Sequence, residues 1–252
     1  MTLKDSLAVS VASAALLLSF WSAVRSRFDR RQDHLRAVRD QLTNVLLKIS
    51  DTRLARRDKE DAPGDSPEVA RTKYLDRAAL KDRLRFLCHQ ATFLSSQIPA
   101  QVASIEYALI ALAFEDYGEL EAAEDLHRLA VNSATTGKDR ALSLRSLGRL
   151  ELFARRITNA RKTMTMAEKY FANLGTDDAR SEQVETLLRW AEAESIIGQP
   201  ESDVNNLVER ASQAAKSIKN ASRRTKMLSL VSCRSEVLRL HSAQGSLLAD
   251  TL

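Results

Sequence analysis

Residues 101–133 read QVASIEYALIALAFEDYGELEAAEDLHRLAVNS. Tyr107, Ile110, Ala111 and Phe114 recur at the three-to-four spacing that lines one side of a helix, over roughly 101–117. Gly118 turns the chain, and Ala123, His127 and Ala130 repeat the spacing in a second helix near 119–133. Thirty-seven residues on, the pattern returns: Tyr107 maps to Leu144, Ile110 to Leu147, Ala111 to Gly148, Ala123 to Ala160, His127 to Met164 and Ala130 to Ala167. Small residues recur where two helices must approach closely, so the match is a packing requirement repeated along the chain.

Working outward, Leu80, Leu84, Leu87, Ala91, Leu94 and Ile98 form one apolar stripe, and Pro99 ends that helix. Downstream, Leu187, Trp190, Ala191 and Gly198 fit the first helix of a third unit. Its second helix fits as Val204, Val208 and Ala211, after a one-residue shift past Pro200. Leu228, Val231, Val237 and Leu240 mark a last helix near 222–243 that closes the stack.

The series Tyr107, Ile110-Ala111, Phe114, Gly118, Ala123 and Ala130 resembles the tetratricopeptide repeat (TPR), a helix-turn-helix unit of about 34 residues. The chain departs from that pattern at His127, where the family prefers an aromatic residue, and at Glu151 and Arg155, which replace an aromatic residue and a glycine. A closing proline is absent, and a non-repeating helical bundle is the alternative. The resemblance covers roughly residues 101–217 and implies an α-solenoid whose first helices form a peptide-binding concave face. It implies a partner groove near Glu106, Leu109, Ala113, Arg145, Arg149, Arg189 and Glu192.

Composition agrees with an all-α chain. Seven Gly and four Pro in 252 residues are few for a sheet protein, which spends both on turns. Residues 1–60 carry 12 Lys+Arg against 7 Asp+Glu, whereas 61–252 carry 26 of each, so the net +5 sits entirely near the N-terminus. That placement argues against nucleic acid as a partner of the larger part.

It suits a membrane flank instead. Ser6 to Val24 holds no charged residue. Nineteen residues at 1.5 Å rise span about 28 Å, close to a bilayer's hydrocarbon thickness. Leu7, Leu16, Leu17, Leu18, Phe20 and Trp21 are the expected anchor. Arg25, Arg27, Arg30 and Arg31 follow it, while Lys4 beside Asp5 precedes it. By the positive-inside rule the N-terminus is outside and the C-terminal part cytoplasmic, in a single-pass protein that a bacterial inner membrane would suit. A cleaved signal peptide would carry its charges on the other side. A buried soluble helix is the other alternative.

Phe28, Leu35, Leu42 and Ile49 recur every seven residues, with Val38 and Val45 three after Leu35 and Leu42. Two readings stand side by side: a coiled-coil seam making a homo-oligomer, or an amphipathic helix lying on the helical domain or the headgroups. The polar run 58–68, with two prolines and a glycine, reads as a linker. The expected organisation is an anchor over 1–27, a juxtamembrane helix over 28–57, the linker over 58–68 and a TPR-like domain over 69–252.

Catalytic motifs are missing from the sequence. His34, His89, His127 and His241 are scattered without helical metal-ligand spacing, and the glycines are isolated, so no phosphate loop forms. Cys88 and Cys233 match no metal or redox spacing and both read as small buried residues. No cofactor is expected. The expected function is a membrane-tethered scaffold recruiting a protein partner and touching lipid through its first helix. An assembly subunit of a membrane complex and an oligomerising signalling component are the alternatives. Acidic Glu115, Asp116, Glu119, Glu121, Glu124 and Asp125 read as a solvated turn with carboxylates at a helix N-terminus, the alternative being a docking patch for a basic partner. Basic Arg155, Arg156, Arg161 and Lys162 form a counterpart one repeat later, and a meeting of the two within the stack or between subunits stays open.

Overall fold

The computed structural model describes the backbone of residues 3–59 and 66–249, and the side chains of 21–22, 25–59 and 66–239. The described residues form nine α-helices: α1 Leu3–Arg57, α2 Pro67–Gln97, α3 Ser104–Tyr117, α4 Leu120–Ser133, α5 Gly137–Phe153, α6 Ile157–Leu174, α7 Asp177–Ile196, α8 Glu201–Lys216 and α9 Ala221–Ala249. A single 3-10 turn at Pro99–Gln101 joins α2 to α3. Each helix packs on the next in chain order, in antiparallel pairs α1/α2, α3/α4, α5/α6 and α7/α8, with α9 across the last pair.

Local chemistry explains the boundaries. Ser66 caps α2 through Val69 N–H, and Pro67 sits at the first turn, where its missing N–H costs nothing. Thr136 caps α5 and Thr176 caps α7 in the same way. The first helices of the last three pairs end in a left-handed residue: Gly118 at φ 94°, Arg155 at φ 61° and Gly198 at φ 77°. Arg155 stands 37 residues after Gly118, so the second unit makes the glycine turn with a side chain that disfavours it. Gly148 marks the close approach of α5 to α6: a Cβ there would lie 2.8 Å from Met164 Cγ. Met164 itself is fully buried, together with Ala160 and Ala167.

The core runs along the stack in two large clusters. One joins Val38, Leu42, Val45, Leu46 and Ile49 of α1 to Leu84, Leu87, Cys88, Ala91 and Leu94 of α2 and to Ile110, Ala111 and Phe114 of α3. The other runs from Leu152 through Trp190 and Ala211 to Val231. The heptad column of α1 is therefore spent inside the chain. Val38, Leu42, Val45 and Ile49 are buried against α2 and α3, Leu35 packs at the edge of that cluster, and only Phe28 stands clear at 60% exposure. Of the two sequence readings, a helix lying on the helical domain is what these residues do, and they leave no seam between 38 and 49 for a second chain. The folded unit accordingly includes the last third of α1, rather than beginning at residue 69.

Among the described residues no helix is long and apolar enough to cross a membrane. Leu7, Leu16, Leu17, Leu18 and Phe20 of the expected anchor lie outside the described side chains. Trp21 is 67% exposed, and Arg25, Arg27, Arg30 and Arg31 are exposed on the unpacked part of α1.

Candidate interaction surface

Cross-links between first helices define one layer. Arg39 of α1 donates twice to Glu106 near the start of α3, at 2.7 Å each, and Arg53 reaches Asp116 near its end at 2.6 Å. Ser104 meets Ser143 at 2.8 Å, and Arg149 of α5 donates to Glu115 of α3 at 2.5 Å. Arg145 donates to Glu182 of α7 at 2.9 Å, and Arg234 of α9 to Glu192 of α7 at 3.0 Å. Arg155 beyond α5 donates to the Ile197 carbonyl beyond α7, and Lys219 N–H before α9 to Asp177 at the start of α7. Partner numbers thus rise together between each of these helices and the next, so α1, α3, α5, α7 and α9 run parallel as one layer.

These pairs decide the fate of the expected groove. Glu106 is half-buried, tied to Arg39 and accepting the Ala103 N–H at 2.8 Å, one half of a capping box. Leu109 is partly buried against the core, and Ala113 is fully buried, so Ala113 is no groove residue. Burial lowers Arg145 from an arginine's ordinary value, with Glu182 pulling the other way. Arg149 also lies 5.9 Å over the Phe153 ring. Arg189 alone is largely open, with Glu185 at 3.8 Å one turn away. Neighbouring helices therefore already use most of the charge assigned to partner recognition.

One pair, Glu124 with Arg156, joins the acidic and basic patches within the stack. Glu124 is buried and accepts from Arg128 and from Arg156. Glu115 takes Arg149 and the buried His127 Nε2, the latter at 2.7 Å. Arg161 grips the buried Glu194 with two donors and reaches Asp203 of α8 at 2.8 Å; Trp190 Nε1 donates to the same Glu194. Such pairs orient the helices, and breaking one by removing a single partner leaves a buried charge unmatched.

Large apolar side chains remain exposed on the helices of this layer. At 100° per residue, Leu47 and Leu54 lie opposite the α1 core stripe. Both are about 60% exposed, Leu47 at 60% and Leu54 at 59%. Ile105 on α3 is 73% exposed, Phe153 on α5 39% and Ile196 on α7 60%. Each of four consecutive first helices thus presents a large apolar side chain to solvent. The sequence carried a signal for Leu47 and Leu54, an apolar pair seven apart outside the heptad column, but nothing marked the others. On α2, Phe86 and Phe93 are exposed at 69% and 65%, also seven apart and turned from the core.

Cys88 is buried, and burial pushes its thiol up to about 12, with Arg53 opposing. Cys233, expected to be buried, is exposed. Among the described residues no group of three or more His, Cys, Asp or Glu is placed to hold a metal ion. No protein-family model matches the chain, and no curated protein or solved structure matches it significantly.

Proposed function

We propose that the chain is a membrane-tethered interaction scaffold, a TPR-like array whose first-helix layer recruits a protein segment at the cytoplasmic face. The observation that carries this reading is the apolar series Leu47, Leu54, Ile105, Phe153 and Ile196 across four parallel helices. Large exposed apolar side chains on successive first helices favour a partner rather than water. Because the charges between them are already paired, the partner's anchors are apolar side chains spaced along an extended or helical segment. The uncharged stretch 6–24 with its arginine flank supports tethering, which raises the local concentration of whatever the array holds. The role is one of binding, not catalysis.

Cross-linked co-purification from membranes tests it, comparing the natural chain with an Ile105→Asp, Phe153→Asp, Ile196→Asp variant. These positions are exposed, so the variant keeps its helical circular dichroism. The reading expects specific partners to be lost; their full retention would refute it. A second reading, an assembly subunit of a larger complex, draws support from Phe86 and Phe93, a separate apolar face on α2. Purification of the full chain as a stable lone species would count against it.

A further inference from the structure

The parallel layer gives the array two distinct edges. Arg39 meets Glu106 at the start of α3, so the unpacked part of α1, upstream of Leu35, projects from the edge where α3, α5, α7 and α9 begin. That edge is basic at its far end. Lys216, Lys219, Arg223, Arg224 and Lys226 bracket the α8–α9 turn, and no acidic residue occurs between Glu209 and Glu236. Four of the five are exposed, and Arg224 is half-buried. The nearest counter-charges belong to α7: Asp178 pairs with Arg223 at 3.7 Å and with Lys138 at 2.5 Å. Asp177 is engaged by the backbone N–H groups of Lys219 and Asn220, at 2.9 and 2.8 Å. Lys216, Lys219 and Lys226 make no ion pair among the described residues. Ile105, the most exposed of the large apolar side chains described, opens α3 on the same edge.

We propose that this edge docks on the anionic headgroups of the bilayer that α1 enters. The proposal rests on the tethered reading for its geometry, and on the charge alone for its chemistry. Between Arg39 and the flank Arg25–Arg31, a straight α1 rises about 12–21 Å. Helices packed 8–10 Å apart place α9 about 35 Å to the side of α1. A tilt of about 30° lowers the far end by about 18 Å, which closes that gap and falls within the ordinary range for spanning helices. The turn that descends is the one carrying five basic side chains. Each basic residue near an anionic surface favours the bound state about five-fold, until salt screens it. RNA would meet the same charge, but the edge faces the direction from which α1 arrives, and that favours lipid.

The test uses the full chain with Cys233→Ser and Ser222→Cys, carrying a donor dye at 222, in vesicles with acceptor-labelled headgroups. Energy transfer should rise when about one-third of neutral phosphatidylcholine is replaced by phosphatidylglycerol, and fall back in about 0.5 M salt. Lys216→Glu, Lys219→Glu and Lys226→Glu together should abolish the rise while the chain still floats with the vesicles. Equal transfer in both lipids, or a rise that survives the three substitutions, overturns the proposal. If the chain fails to float with neutral vesicles, the tethered reading fails by itself. Flotation with anionic vesicles that the three substitutions abolish then still supports the docking edge, and its absence overturns it. Tighter binding of single-stranded RNA than of anionic vesicles also overturns it.

Discussion

Leu42 and Phe28 occupy the same heptad column of α1, yet their surroundings differ completely. Leu42 is fully buried between α2 and α3, whereas Phe28 is 60% exposed beyond the packed region. Truncating a buried leucine to alanine removes its transfer free energy and leaves a cavity, at a cost of about 2–5 kcal/mol. For a unit of this size each kcal/mol moves the midpoint by about 2–4 °C, so a loss near 3 kcal/mol lowers it by about 6–12 °C. Phe28→Ala should change stability by no more than about 0.5 kcal/mol, as an exposed substitution does. Thermal unfolding followed by far-ultraviolet circular dichroism reads both, at two protein concentrations about 20-fold apart. The structure expects a midpoint that is independent of concentration and a large shift for Leu42→Ala alone. A concentration-dependent midpoint, with Phe28→Ala as damaging as Leu42→Ala, would show that the column pairs two chains and refute the intramolecular assignment.

Other consequences follow from single sites. At φ 61°, Arg155 holds a conformation that glycine tolerates and alanine does not, while its guanidinium donates to the Ile197 carbonyl at 2.7 Å. Arg155→Gly should therefore be more stable than Arg155→Ala by about 1 kcal/mol in urea unfolding, both having lost that bond; the reverse order would contradict the turn geometry. The N–H groups of Lys219 and Asn220 hold the Asp177 carboxyl below its usual range. A depressed folded value means that the contribution is present above the unfolded value and is lost as pH falls through the folded one. The gap in melting temperature between the natural chain and Asp177→Asn should therefore be present at pH 7 and narrow as the pH falls below the ordinary aspartate value, and a constant gap would exclude the linkage. A thiol reagent should modify Cys233 at once and Cys88 only after unfolding, because Cys88 is buried with its thiol pushed up to about 12; two equally fast reactions would place Cys88 at the surface.

The helical array was legible because its signal is local. The spacing of Tyr107, Ile110, Ala111 and Phe114, and its return at Leu144, Leu147 and Gly148, needs only one helix at a time to be read. The 37-residue register reappears in the turn residues Gly118 and Arg155. In the third unit the register lengthens to 44 residues, from Ala160 and Ala167 to Val204 and Ala211, because α6 and α7 are longer than α4 and α5. What could not be read was which partner each face would find. The α1 column has the same period whether it meets another chain or α2 and α3. Arg145 and Arg149 looked like free groove charges because Glu182 and Glu115 are 37 and 34 residues away. Only the parallel stacking of first helices brings such pairs together, and Ile105, Phe153 and Ile196 stay exposed on that layer.

Whether residues 6–24 hold the array at a membrane decides between a tethered scaffold and a free one. Alkaline carbonate extraction of membranes carrying the full chain settles this when the natural sequence is compared with Leu16→Gln, Leu17→Gln, Leu18→Gln. The natural chain is predicted to stay in the membrane pellet and the variant to move to the supernatant with its helical content intact. Release of both chains into the supernatant, or retention of both in the pellet, would contradict the tether.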